Sequence, residues 1–247
     1  MKPAAVTTMQ VRYGERIIAC QIRRSPHRRT CSVAIHVDAD GTVRLDAPQQ
    51  ASDADIRRAL QRRAGWVHRH LQAIEARRRL LLPRQYVSGE TVLYLGRRYR
   101  LKVQIGTQGE ATALRGGYLE VIVPTRSAQA VRANLDHWLR QRAKDIFQQR
   151  LAATAEPLRW VKHTPALTVR RMQRRWGSCS ASGRITLNAG LIHASRECID
   201  YVILHELCHL QAHQHGRAFQ RLLDAHLPDW RALKQRLDGM AELVMQR

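Results

Sequence analysis

Apolar positions along the chain switch between a period of two and a period near four, and each switch marks an element. Ile17-Ile18-Ala19-Cys20-Gln21-Ile22 and Ser32-Val33-Ala34-Ile35-His36-Val37 alternate as half-buried strands do, inside a stretch of alternation from about residue 10 to 46. Asp40-Gly41 forms a turn into a third strand, Thr42-Val43-Arg44-Leu45, and Pro48 ends it. Ser52 or Asp53 then caps a helix carrying Ile56, Leu60, Trp66 and Leu71 and running to about Leu82, with an outer face dense in arginine. The order recurs. Residues 90–94, 98–105 and 118–123 are expected strands, Gly116-Gly117 is a turn, and Pro124 closes the last strand. A helix follows from Ser127 through Leu135, Trp138 and Ile146. Strand, proline, capped helix and tryptophan appear twice, a weak internal echo too short for a repeat architecture.

A third block begins near Thr164. Leu167-Thr168-Val169-Arg170 and Ile185-Thr186-Leu187-Asn188 are expected strands, with Trp176-Gly177-Ser178-Cys179-Ser180 a loop or strand edge and Ser182-Gly183 a turn. Ser195 is a suitable N-cap and Glu197 suits a first turn, and no Pro or Gly interrupts the chain from there to His215. Two more helices are expected, at about 216–223 and from Pro228 to about Met245. The pattern reads as an α+β chain: a β-rich N-terminal part with Arg-rich helices, then a C-terminal metal-binding region. Three segments are expected, 1–85, 86–160 and 161–247, with the clearest boundaries near 83–90 or 150–164.

The most specific pattern lies in the third block. His205-Glu206-Leu207-Cys208-His209 reads H-E-x-x-H. On a helix, residues four apart share a face, so His205 and His209 project the same way, one turn apart. Two imidazoles so placed can hold one divalent metal. Glu206, on a neighbouring edge, can reach a water on that metal, whose pKa the ion lowers, and take its proton. This is the core of a zinc hydrolase, usually a metallopeptidase. The bland alternative is a core helix with two satisfied histidines, which leaves a buried Glu206 in need of a partner.

Such a site needs a third protein ligand. His213 continues the face of His209 if the helix persists, but it then sits about 6 Å further along the axis. His215 precedes Gly216, a natural helix terminator, after which the chain can fold back toward the metal. His215 is therefore preferred and His213 second, with Asp224, Asp229 or Glu242 as carboxylate alternatives. Asp200, Asp224 and Asp229 are candidate acceptors for the second ring N–H of a ligating histidine.

Composition narrows the setting. The chain has 247 residues and is 44% hydrophobic, enough to bury a core. It lacks an apolar run of about 18 residues, so no membrane span is expected. Its first ten residues lack a long apolar stretch, which argues against a signal peptide and for a cytoplasmic location. Five widely spaced cysteines without C-x-x-C argue against a disulfide frame, and Cys208 reads as a small core residue beside the histidine face. Lys+Arg is 42 against Asp+Glu 20, a formal net charge of +22. Codon bias toward arginine explains Arg in place of Lys, not the excess of base over acid. That excess favours an anionic partner: nucleic acid, a nucleotide or an acidic protein segment.

Further residues are candidates for substrate or transition-state contact. Arg170, Arg171, Arg174 and Arg175 form a basic cluster before the Trp176–Ser180 stretch. One of them, with Arg174 and Arg175 foremost, can stabilise an oxyanion or hold a phosphate. Ser178 and Asn188 can donate to substrate, and His213 is another transition-state candidate. Against these stand ordinary roles: Trp176 in the core, Gly177 permitting a tight backbone, and half the arginines on a solvated face.

Several of these stretches together resemble the YgjP-like metallopeptidases of bacteria, zincins with more distant likeness to the SprT and WLM proteins. The likeness rests on Trp176-Gly177-Ser178-Cys179-Ser180, Ile185-x-Leu187-Asn188, Leu191, Ile199-Asp200-Tyr201-Val202, His205-Glu206-Leu207-Cys208-His209-Leu210, His215 and Phe219. Tyr94-Leu95-Gly96 and Trp138 fit upstream. The resemblance implies Zn2+ held by His205, His209 and His215, Glu206 as general base, and a minimal zincin-like C-terminal domain in 161–247. Gln220 departs from it, since the family tends to have Trp after the Phe.

The leading expectation is thus a zinc metallopeptidase acting on a protein or peptide substrate, with no membrane partner and with nucleic acid or a nucleotide as a further partner of the basic surface. One alternative is a zinc-dependent nucleotide phosphohydrolase, although no G-x-x-x-x-G-K-[ST] is present. The other is a basic nucleic-acid-binding module with structural zinc, which usually wants four protein ligands.

Overall fold

The computed structural model describes residues 7–25, 32–38, 40–79, 84–106, 112–173 and 175–245. The chain divides into two compact units, one up to Leu82 and one from Pro83 to Met245. The first contains β1 (Thr7–Tyr13), β2 (Arg16–Ser25), β3 (Ala34–Val37), β4 (Val43–Pro48) and α1 (Asp53–Arg79). Its sheet has the order β1-β2-β4-β3. β1 and β2 form an antiparallel hairpin, β2 runs parallel to β4, and β3 is antiparallel to β4. Alternation puts Ile18, Cys20 and Ile22 of β2 and Val43, Leu45 and Ala47 of β4 on the buried face. Ile56, Leu60, Ala64, Val67 and Leu71 recur every three or four residues along α1 and close the same core. The Ser52 hydroxyl caps this helix by accepting from the Asp55 N–H at 3.2 Å.

The second unit opens with β5 (Thr91–Tyr94), β6 (Arg97–Ile105), β7 (Thr112–Arg115), β8 (Tyr118–Val123) and α2 (Ala128–Ala155). Their sheet has the order β5-β6-β8-β7, again a hairpin, then a parallel pair, then an antiparallel edge strand. The echo in the sequence is therefore a repeated ββββα topology. β1 and β7, not read as separate strands from the sequence, are both sheet-edge strands: β1 buries only Met9 and Val11, and β7 buries no residue fully.

The rest of this unit comprises β9 (Leu167–Arg170), β10 (Gly177–Cys179), β11 (Ile185–Asn188), a 3-10 turn (Ala189–His193), α3 (Arg196–Cys208), α4 (Arg217–His226) and α5 (Trp230–Met245). β9 runs parallel and β10 antiparallel to β11, leaving β10 with one edge unpaired in that sheet. One apolar cluster joins β5, β8, α2, β11 and α3, including Leu119, Leu135, Phe147, Leu187 and Ile203. The architecture is α+β, as expected. No described helix is long and apolar enough to cross a membrane.

α3 is shorter than the uninterrupted run to His215. It ends at Cys208 with His209 as its C-cap, and the Ala212 N–H closes on the Cys208 carbonyl at 2.9 Å. No local breaker causes this. Instead of ending α3, Gly216 is the N-cap of α4, its carbonyl accepting from the Gln220 N–H.

Candidate active site

His205 and His209 lie in the last turn and at the cap of α3. The early end of that helix lets residues 210–216 fold back, and His215 returns to the same place. One candidate ligand atom from each of the three rings lies within 4.8 Å of the others. The Nε2 atoms of His205 and His215 stand 3.0 Å apart. His209 donates from Nδ1 to the Ala212 carbonyl at 3.3 Å, which leaves its Nε2 lone pair free. Phe219 of α4 packs on all three rings at centroid distances of 4.8, 4.8 and 4.7 Å. Burial, with help from His215 and His209, pushes His205 down to about 3, and burial likewise lowers His209. Both rings are thus neutral near pH 7. Neutral imidazoles with converging nitrogens form a donor set suited to zinc, and two opposed Nε2 atoms at 3.0 Å are well suited to sharing one cation.

Glu206 is only 5% exposed. Burial raises its carboxyl to about 7, against the opposing pull of Arg175 and of the Cys179 N–H that donates to it. β10 reaches so close that a Cβ on Gly177 would sit 2.6 Å from Glu206 Oε1 and 2.9 Å from its Cγ. The glycine of Trp176-Gly177-Ser178-Cys179 is therefore the residue that admits the carboxylate, while the strand two residues later supplies its hydrogen bond. The sequence flagged a tight backbone at Gly177 but not what approaches it.

These groups line a cavity of about 630 Å³ whose other walls include Arg175, Ser178 and His213. Ser178 is half-buried on β10, and Arg175 and His213 are exposed. His213 lies outside the group of three converging histidines. Arg174 lies outside the described residues. Asn188 is 1% exposed, and its amide is engaged within the protein. Its Nδ2 donates to the Met172 and Arg175 carbonyls at 2.7 and 3.0 Å, and its Oδ1 accepts from the Gly190 N–H at 3.1 Å. It holds the strand connection that carries Arg175. Of the three aspartates that the sequence offers to orient a histidine, Asp200, Asp224 and Asp229, the first pairs with Arg150 and the second accepts from Trp230 and Arg231. Gln220, the departure from the family pattern, is exposed on α4.

The Tyr94-Leu95-Gly96 signature also acquires a role. The tip of the β5–β6 hairpin donates from the Leu95 and Gly96 N–H groups to the Ile192 and His193 carbonyls, at 2.9 and 3.2 Å. Gly96 has φ +77°, and a Cβ there would lie 2.9 Å from the Ser195 Cα at the start of α3. The hairpin thus docks against the base of the histidine-bearing helix.

The pattern of the YgjP-like metallopeptidase domain matches residues 31–240, and the chain belongs to that family. Crystal structures of two metallopeptidase zymogens are similar over part of it. Jannalysin of Methanocaldococcus jannaschii is 20% identical, covers 39% of this chain and 94% of its own, and has a TM-score of 0.32. Abylysin of Pyrococcus abyssi is 23% identical, covers 44% and 94%, and has a TM-score of 0.31. No curated protein matches the chain.

Proposed function

We propose that the protein is a zinc-dependent peptidase in which His205, His209 and His215 hold the metal and Glu206 is the general base. The observation that carries this reading is the convergence of three imidazoles within 4.8 Å beside a buried carboxylate. When bound, zinc supplies Lewis acidity that polarises the scissile carbonyl and makes water easier to deprotonate. The chain does the rest. Glu206 takes the proton of the attacking water, and its protonated form returns that proton to the leaving amine. Gly177 and the Cys179 N–H fix the carboxylate for this transfer. Arg175, beside Glu206 at the cavity wall, supplies positive charge where the carbonyl oxygen gains negative charge. Ser178 and His213 are further substrate contacts on the same wall, and the unpaired edge of β10 offers backbone groups to an extended peptide.

The test is hydrolysis of casein and of short peptides by the zinc-loaded protein, with Glu206→Gln as control. The expected loss is on the order of 10³-fold in kcat/KM. Absence of Glu206-dependent cleavage overturns the peptidase reading. Glu206-dependent hydrolysis of nucleoside triphosphates instead would transfer the same machinery to phosphorus.

A further inference from the structure

A second cavity of about 370 Å³ lies within the same unit and shares no lining residue with the histidine cavity. Three stretches of chain converge on it. Arg84 arrives from the segment before β5, Arg132, Arg140 and Lys144 from one stripe of α2 at multiples of four residues, and Arg170 and Arg171 from the end of β9. Asp136 is the only carboxylate among the described residues of its wall, and Arg132 lies 3.7 Å from it. Lys144, Arg170 and Arg171 have no carboxylate partner among the described residues.

The wall is built rather than incidental. Glu90 holds Arg84 at 3.5 Å and accepts from the Tyr86 N–H at 2.7 Å. Tyr86 has φ +58°, a left-handed conformation that costs a non-glycine residue energy and that this clamp maintains. Arg132 lies 6.0 Å over the Tyr86 ring. Beneath the cations the surface is apolar, formed by Leu139, Val169 and Ile192. The volume falls in the range of small-molecule sites, and the lining combines a broad apolar floor with clustered charge of one sign.

We infer that this cavity binds a small organic dianion. Arginine forks from α2 and β9 hold its charged head, and its aromatic or aliphatic body lies on the Leu139–Ile192 floor beside Tyr86. A lone inorganic anion leaves the floor uncovered, and a neutral ligand leaves the cations without a counter-charge. The inference does not depend on the peptidase reading.

The experiment is isothermal titration calorimetry on the full chain with phenyl phosphate, with phenylsuccinate as the dicarboxylate arm and inorganic phosphate and benzyl alcohol as the head and body alone. Saturable binding of at least one of the two dianions is expected, tighter than either fragment by at least about tenfold. The double variant R170A/R171A should weaken it by at least about tenfold. Arg62→Ala on α1 and His215→Ala in the other cavity should leave it unchanged. Circular dichroism checks that each variant is folded, and Lys144→Ala provides a second test if the double variant is not. The inference is overturned if neither dianion saturates. It is equally overturned if binding survives R170A/R171A and Lys144→Ala, or disappears in His215→Ala.

Discussion

The β1–α1 and β5–α2 modules share strand order and strand directions, and their hairpin tips meet different surroundings. At the first tip, Gly14 has φ +59° and open space where a Cβ would be. At the second, Gly96 has φ +77° and lies against the backbone of Ser195. The helices differ in the same way. α1 buries one stripe, from Ile56 to Ile74, and leaves Arg57, Arg58, Arg62, Arg63 and Arg69 exposed. α2 also buries Ala143, Phe147 and Leu151 in the cluster that it shares with α3, and its Arg150 pairs with Asp200 of that helix. One topology thus serves in one place to close its own core and in the other as the platform for the histidine helix. The difference is written in contact residues rather than in strand order.

The sharpest test of that division is Gly177→Ala. The added methyl cannot coexist with Glu206 at 2.6 Å, so either the carboxylate or β10 must move. Peptide turnover should fall on the order of 10²-fold, as misplacing a catalytic group does, with zinc content retained. Unchanged turnover would mean that Glu206 is not held where the mechanism needs it.

A second effect separates the units by pH. Asn188 and Glu206 are the buried polar or charged side chains among the described residues, and both belong to the second unit. In metal-free protein the Glu206 carboxyl is raised from 4.5 to about 7 by burial. The folded form therefore keeps its proton where the unfolded chain has released it, so this carboxyl's contribution to stability falls as pH rises from about 4.5 to about 7, while the lowered His205 acts in the opposite sense up to about 6.5. Denaturant titration of the metal-free proteins should show wild type losing about 3 kcal/mol relative to Glu206→Gln across that window. An identical pH dependence in both proteins would show that the carboxylate is not buried as described.

The hairpin comparison gives the smallest effect. Gly14→Ala carries only the left-handed penalty, about 1 kcal/mol. Gly96→Ala adds a collision with Ser195 and should cost about 3 kcal/mol in all. Equal losses in urea titrations would erase the distinction between the two tips.

Much of this was legible in the sequence. H-E-x-x-H puts His205, Glu206 and His209 on one helix, and His215 is preferred for a helix end at Gly216; the three rings do converge, although α3 ends at Cys208 and Gly216 instead starts α4. Where the sequence fell short, the controlling contact was long-range. α3 ends at Cys208 without a Gly or Pro, and the chain beyond it returns His215 to the other two rings. Asn188 reads as a substrate donor, and only its bonds to the Met172 and Arg175 carbonyls show that its amide is engaged within the protein. β7 buries no residue fully and shows no alternation. The two modules share so few matched residues that their common topology registers only as an echo.

The central claim is the histidine set, and metal stoichiometry tests it most directly. Mass spectrometry of purified wild type, His213→Ala and His215→Ala should find about one zinc per chain in the first two and a large loss in the third. Zinc retained by His215→Ala and lost from His213→Ala, or absent from the wild type, would contradict the account.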